Sequence, residues 1–185
     1  MVQLVFLGPP GAGKGTQASL IAESYGIPHI STGEILRSHA AQGTELGQQA
    51  QVYMERGDLV PDQLILDMVE QRLQAADAQQ GWLLDGFPRT VSQAEFVDHL
   101  LAKTGNAKLQ VLNLDVADSV LITRLLARGR QDDTEETIRN RLQVYRQQTA
   151  PLIEFYQQRQ QLVTLNGDQS IDDVTANLKQ AITVS

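Results

Sequence analysis

Cysteine is absent from the 185 residues, which excludes disulfides and thiolate metal sites. That absence fits a reducing compartment and leads us to expect a cytoplasmic protein. No apolar run approaches the roughly 18 residues that a membrane span needs. The opening MVQLVFLGPPG has no basic flank and only a short apolar stretch, so neither a signal peptide nor a membrane partner is expected. Positive charge is scarce: 15 Lys and Arg face 22 Asp and Glu, for a net charge of -7. Such a chain is a poor general binder of nucleic acid. Any anionic ligand must be met by a local concentration of cations. The few cations are biased, 11 Arg against four Lys. No internal repeat and no linker-like segment interrupts the sequence, and its length is that of one domain, 1–185, burying roughly 70% of its unfolded surface.

Glycine is unevenly distributed. Four of the 14 glycines, with two prolines, fall in GPPGAGKGT (Gly8–Thr16), directly after the apolar run VQLVFL. Glycine lowers the stability of ordered backbone, so its concentration points to a close approach by something else. A strand, a glycine turn, then Lys and Thr at a helix start is the pattern of a phosphate cradle. Successive backbone N–H groups curl around the anion, the helix N-terminus adds unpaired donors, and Lys14 supplies a mobile point charge. One position departs from the general motif. Gly15 stands where a Ser or Thr would bind a metal ion, and the hydroxyl comes one residue later, at Thr16. Asp85, ending WLLD, is then a candidate partner for the metal through water; a strand-end cap or an ion pair is the alternative role.

The remaining pattern alternates. VQLVFL, IPHI, GWLLD, KLQVLNLD and QQLVTLNGD read as short strands, with helical stretches between them. Lys14 to Tyr25 suits a helix closed by Gly26. Ser31 and Thr32 are candidate caps with Glu34 in reach, and Pro61 marks another helix start. The expected fold class is α/β: a central parallel five-stranded sheet covered on both faces, a three-layer α/β/α arrangement.

Most of the arginines fall in a few motifs. Arg37 lies in ILRS and Arg89 ends DGFPR. Arg124, Arg128, Arg130, Arg139, Arg141 and Arg146 follow in TRLLARGRQDDTEETIRNRLQVYR. Arg124 and Arg128, four apart, share a helix face. Arg forks suit phosphate oxygens better than Lys does, although Arg139 and Arg146 taken singly read as solvated. No Ser-His-Asp arrangement stands out. His29, His39 and His99 have no metal-like spacing and read as structural. Phosphoryl transfer to an acceptor that is itself a phosphate needs no base, because a phosphomonoester with its second pKa near 6 is already mostly a dianion. It needs positioning and positive charge.

Together GPPGAGKGTQ, ISTGEILR, LLDGFPRTVSQ, RGRQDDTEETIRNRL and TAPLIEFY resemble adenylate kinase, nearly from end to end. The resemblance implies interconversion of ATP and AMP with two ADP, using Mg²⁺, on a parallel core with an inserted lobe (31–60) for the monophosphate and a lid (about 127–133) over ATP. It implies that Gly11, Ala12, Gly13, Lys14, Gly15 and Thr16 hold the ATP phosphates, with Arg128, Gly167 and Gln169 also on ATP. It assigns AMP to Thr32, Arg37, Asp58, Leu59, Val60, Gly86, Phe87, Pro88, Arg89 and Gln93. It makes Arg124 and Arg128 face ATP phosphates, and lets Arg130 and Arg141 bridge towards AMP and the transferred group. Asp132 and Asp133 resemble an acidic lid-closing pair. The single Gly129 between Arg128 and Arg130, with no inserted hairpin and no Cys, resembles a short-lid type without zinc, and the family likeness implies a monomer.

Two other readings stay open. UMP/CMP kinases of the same wider group resemble SAGDLLR and GFPRN where this chain has Thr32, Thr90 and Gln93. A Gln amide offers a donor and an acceptor to an adenine edge. A nucleotide-binding switch is the second alternative, but no NKxD base-reading motif occurs; the nearest text is NLD at Asn113.

Overall fold

The computed structural model describes residues 2–104, 108–130 and 133–182. Five strands, β1 (Val2–Leu7), β2 (His29–Ser31), β3 (Gly81–Asp85), β4 (Leu109–Asp115) and β5 (Leu162–Asn166), form one sheet in the order β2-β3-β1-β4-β5. All four pairings are parallel. Parallel neighbours require crossovers, and the helices supply them: α1 (Lys14–Tyr25), α2 (Thr32–Ala41), α3 (Glu45–Arg56), α4 (Asp62–Gln74), α5 (Val91–Thr104), α6 (Asp118–Arg128), α7 (Glu135–Val144), α8 (Pro151–Gln158) and α9 (Ile171–Ala181). The expected α/β class and five parallel strands are what the structure has. Among the described residues no helix is long and apolar enough to cross a membrane.

Side chains alternate across a strand, and the core divides accordingly. Leu4, Phe6, Leu83, Leu112 and Leu114 pack on one face with Ile21, Leu121, Leu125 and Leu178. Val5, Leu7, Trp82, Leu84 and Val111 pack on the other with Ile65, Val69, Val97 and Tyr156. Burial on both faces explains why VQLVFL and GWLLD read as near-continuous apolar runs.

Register delivers the site. Phe6 of β1, Asp85 of β3 and Ser31 of β2 are aligned across the sheet. The segments that follow them therefore leave from one edge, the carboxyl edge where open α/β sheets place ligands. Between β2 and β3 the chain makes an α2–α3 hairpin. Thr44 caps α3 by accepting from Gly47 N–H at 3.1 Å. A Cβ at Gly47 would stand 2.2 Å from the carbonyl oxygen of His39, so α2 and α3 meet backbone to backbone. Neither main chain can yield as a flexible side chain would. Gly47→Ala is expected to cost about 1–3 kcal/mol, as overpacking does, and to lower the melting temperature by several degrees in calorimetry.

Some local details differ from the sequence reading. Ser31 alone caps α2, accepting from Glu34 N–H at 3.4 Å, while the Thr32 hydroxyl turns to the Gly86 carbonyl at 2.9 Å. Pro61 is the cap of α4, one residue before its first turn. A π-helical turn, Tyr145–Thr149, joins α7 to α8 inside what reads as one helical stretch.

Candidate active site

The carboxyl edge of the sheet opens into a cavity of about 690 Å³. Seven of the 15 cations line it: Lys14, Arg37, Arg89, Arg124, Arg128, Arg130 and Arg141. Among the described residues only three carboxylates join them: Glu34, Asp58 and Asp85. An acidic chain thus concentrates positive charge in one cleft, where focusing of the field favours anions.

The glycine loop forms the cleft's floor. Gly13 precedes α1 at φ 94°, and a Cβ placed there would meet nothing within 4 Å. Glycine is needed at this position for backbone conformation and not for space. Lys14 folds back over the loop and donates from Nζ to the Gly8 carbonyl at 2.7 Å and the Pro9 carbonyl at 2.9 Å. Burial lowers its pKa to about 8; Asp85 opposes the shift, and Arg89 and Arg128 add to it. Lys14 therefore lies within the fields of two arginines from different parts of the chain.

Asp85 is buried at the end of β3, and its Oδ2 lies 3.5 Å from His29 Nε2. Burial raises its pKa, but the His29 contact, Lys14 and Arg89 outweigh that and hold the carboxyl below the usual range. A Cβ at Gly15 would be 3.6 Å from the same Oδ2. The position that carries a metal-binding hydroxyl in the general motif is thus faced by an ionised carboxylate, a donor that fits an ion held through water. Among the described residues no group of three or more His, Asp or Glu is placed to hold a metal by protein ligands alone. His29, read as structural from sequence, also meets the Ser19 hydroxyl at 3.3 Å through Nδ1.

After β3 the chain turns sharply through Gly86–Arg89, with a cis Phe87–Pro88 peptide. The Gly86 carbonyl accepts from both Thr32 Oγ1 and Arg89 Nε, the latter at 2.7 Å. The Arg89 backbone N–H donates to Gln93 Oε1 at 2.8 Å, and Gln93 Nε2 donates to Asp62 at 2.7 Å. Burial lowers the Arg89 pKa, Asp85 opposes this, and Arg141 adds to it; a guanidinium stays charged regardless.

On the opposite wall, Arg128 makes two bonds to Asp133, 2.8 Å from Nε and 2.7 Å from NH2. Arg141 donates to the same carboxylate at 2.9 Å, and the Arg130 N–H at 3.3 Å. Burial raises the Asp133 pKa, yet these arginine contacts leave it below the usual range. Asp132, named with Asp133 in the sequence reading, lies outside the described residues. Arg124 donates to the Gly167 carbonyl at 3.1 Å and to Asp168 at 3.2 Å. Arg139 pairs with Glu135 on an exposed helix face and Arg146 with Asp118, both outside the cavity lining, as expected for solvated residues.

Helix α7 also holds the inserted hairpin. Thr137 Oγ1 donates to the Glu55 carbonyl, Asn140 Nδ2 to the Arg56 carbonyl and Asp58 Oδ1, and Arg141 NH2 to the Met54 carbonyl. The last carbonyls of α3 are thereby met from another helix, the Met54 carbonyl in addition to its bond from the Gly57 N–H at the C-cap.

Of the residues singled out from sequence, Gly11, Gly13, Gly15, Thr16, Thr32, Asp58, Leu59, Val60, Gly86, Pro88 and Gln93 line the cavity beside the seven cations and Asp85. Ala12 and Phe87 are buried, and neither they nor Gly167 and Gln169 are on its wall. Gly167 is nonetheless beside the loop: a Cβ there would stand 3.3 Å from the Ala12 carbonyl oxygen. The sequence reading missed Asp62, which holds Gln93, and the wall residues Val144, Tyr145 and Thr149 at the π-turn. Pro151, just past that turn, is the one sequence signal for it.

Comparison with known proteins agrees with this geometry. The family model described as adenylate kinase matches residues 6–161. A protein of Trichodesmium erythraeum named adenylate kinase is 62% identical, over 98% of each chain. One of Nostoc sp. named adenylate kinase 1 is 59% identical, over 98% of this chain and 99% of its own. One of Corynebacterium urealyticum, also named adenylate kinase, is 52% identical over 94% and 95%. With the likeness covering almost the whole chain, the protein belongs to the adenylate kinase family, phosphotransferases that act on ATP and AMP.

Proposed function

We propose that this chain transfers the terminal phosphoryl group of ATP to AMP, reversibly giving two ADP, and so balances the adenine nucleotides. The observation that carries the reading is the position of Lys14 in one continuous cavity. Arg128 and Arg89, from different parts of the chain, line the same cavity, and both act on the charge of Lys14. Two polyanions repel, and a cation together with two arginines offsets that repulsion where they must meet.

In this reading Gly11–Thr16 cradle the ATP phosphates with Lys14, Arg124 and Arg128, and Gly167 and Gln169 lie by its adenine. Arg37 and Arg89 grip the AMP phosphate. Thr32, Asp58–Val60, Gly86–Pro88 and Gln93 shape the rest of that pocket, and Arg130 and Arg141 reach the transferred group. An AMP phosphate oxygen attacks the terminal phosphorus of ATP, the bond to the bridging oxygen breaks, and ADP leaves. No proton has to be removed from a dianionic acceptor. Charge developing on the transferring group is met by Lys14 and the arginines, already oriented before reaction. Mg²⁺, arriving with ATP, would neutralise and orient its phosphates; Asp85 would hold it through water, and without Cys no thiolate zinc site can form. Segment 31–60 would clamp AMP and segment 127–133 would close over ATP, in a cytoplasmic monomer.

Two measurements test this. A coupled assay comparing AMP, UMP and CMP as acceptors is expected to favour AMP by at least about tenfold in kcat/KM, the scale that polar base readout provides; faster turnover of UMP would replace the acceptor. A bisubstrate mimic joining two adenosines through phosphates is expected to bind far more tightly than ATP, because it fills both halves of the cavity. Binding no tighter than ATP would leave only a single nucleotide site.

A further inference from the structure

The Gln93 side chain is 3% exposed, yet it lines the cavity. An amide has two orientations differing by a half-turn, and they present donor and acceptor in opposite order. Here both outer contacts are with groups that have no choice. A backbone N–H can only donate, and an ionised carboxylate can only accept. Arg89 N–H at 2.8 Å therefore demands Oε1, and Asp62 Oδ1 at 2.7 Å demands Nε2. Turning the amide over would set oxygen against carboxylate and N–H against N–H at once. Two hydroxyls, free to donate or accept, complete the surroundings. Thr90 Oγ1 accepts from the Gln93 backbone N–H at 3.3 Å, and Ser92 Oγ reaches the other oxygen of Asp62 at 3.4 Å.

We propose that Asp62, standing outside the cavity lining, is a specificity-determining residue: together with the Arg89 N–H it locks the Gln93 amide in one orientation and so fixes which purine edge the acceptor pocket accepts. This rests on the reading above that Gln93 faces the base of the monophosphate. Each end of the amide retains one unused function, an N–H on Nε2 and a lone pair on Oε1. In the locked orientation that pair matches adenine, whose N1 accepts and whose 6-amino group donates. Hypoxanthine has the reverse order, with a donating N1–H and an accepting O6. A freely turning amide would serve both bases equally; a locked one leaves hypoxanthine with two mismatched contacts. Buried mismatches of this kind discriminate far more strongly than a missing methyl group does.

The experiment measures kcat/KM for AMP and for IMP as acceptors, with ATP as donor, in four proteins: the unaltered chain and three variants. In Asp62→Asn, an amide that can turn to suit either neighbour replaces the carboxylate, so only the Arg89 N–H still favours one orientation of Gln93. The AMP-to-IMP ratio is expected to fall severalfold, with the remaining preference held by that N–H and the KM for ATP unchanged. In Asp62→Glu, where a carboxylate is kept, the ratio is expected to stay nearer the wild-type value than in Asp62→Asn. Gln93→Ala is expected to raise the KM for AMP. An unchanged ratio in Asp62→Asn, alongside a raised KM in Gln93→Ala, overturns the lock but leaves the base contact standing. An unchanged KM for AMP in Gln93→Ala overturns the base contact, and the lock with it. If Asp62→Asn lowers the melting temperature and weakens both acceptors equally, Asp62 is only a structural support and the proposal fails.

Discussion

Lys14→Met is expected to reduce kcat by about 10³-fold or more while the protein stays folded. Removing one preorganised charge-stabilising donor costs about 10²–10³ in rate, and a full cation aimed at a transferring phosphoryl group sits at or above the top of that range. Met keeps much of the length and apolar stem of Lys, so circular dichroism and the melting temperature should change little. The loss should appear in kcat as well as kcat/KM, because the charge acts most strongly in the transition state. The same side chain predicts a pH dependence. Burial lowers the Lys14 pKa to about 8, and only its protonated form carries charge. A lowered pKa brings deprotonation down into the working range, so kcat/KM for ATP, which reports the free enzyme, should decline as pH rises through about 8. Bound phosphates favour the charged form, so kcat should hold to higher pH. Coincident pH profiles for the two parameters would show that another group governs them.

Arg89→Ala is expected to lower kcat/KM for AMP by about two to three orders of magnitude, with ATP binding nearly intact. Charge-assisted forks on phosphate are among the strongest polar contacts, and the proposed one would form in a turn where Arg89 is already desolvated. The Arg89 Nε–H is committed to the Gly86 carbonyl, which aims the remaining guanidinium donors. Arg89→Lys should not rescue, because an ammonium cannot hold Gly86 and at the same time offer a planar fork. Titration with AMP and, separately, with ATP reads the asymmetry. Equal losses for both nucleotides would mean that the substitution disturbs the whole cleft.

Much of the architecture is legible in the sequence because it follows from period and punctuation. VQLVFL and WLLD read as buried strands since both their faces are covered, and GPPGAGKGT announces an anion cradle through its glycines. What the sequence does not show is partnership across long separations. Asp62 and Gln93 lie 31 positions apart, and Asn140 and Arg56 84 apart; only the fold brings them together. The choice between Ser31 and Thr32 as cap is likewise settled by a tertiary contact, the pull of the Gly86 carbonyl on the Thr32 hydroxyl. His29 carries no spacing signal, because its relation to Asp85 comes from the pairing of β2 with β3.

Asp133, outside the cavity lining, sets an anion against two of the arginines that line it. Its carboxylate engages Arg128 and Arg141, one arginine from each of two successive helices. An incoming phosphate must displace this internal rival or share the arginines with it. A weakly charged solute gains little from that exchange, whereas a multiply charged nucleotide is expected to compete better with a single carboxylate. On the proposed reading, the groove is thereby expected to resist casual salt ions more than it resists the highly charged ligand.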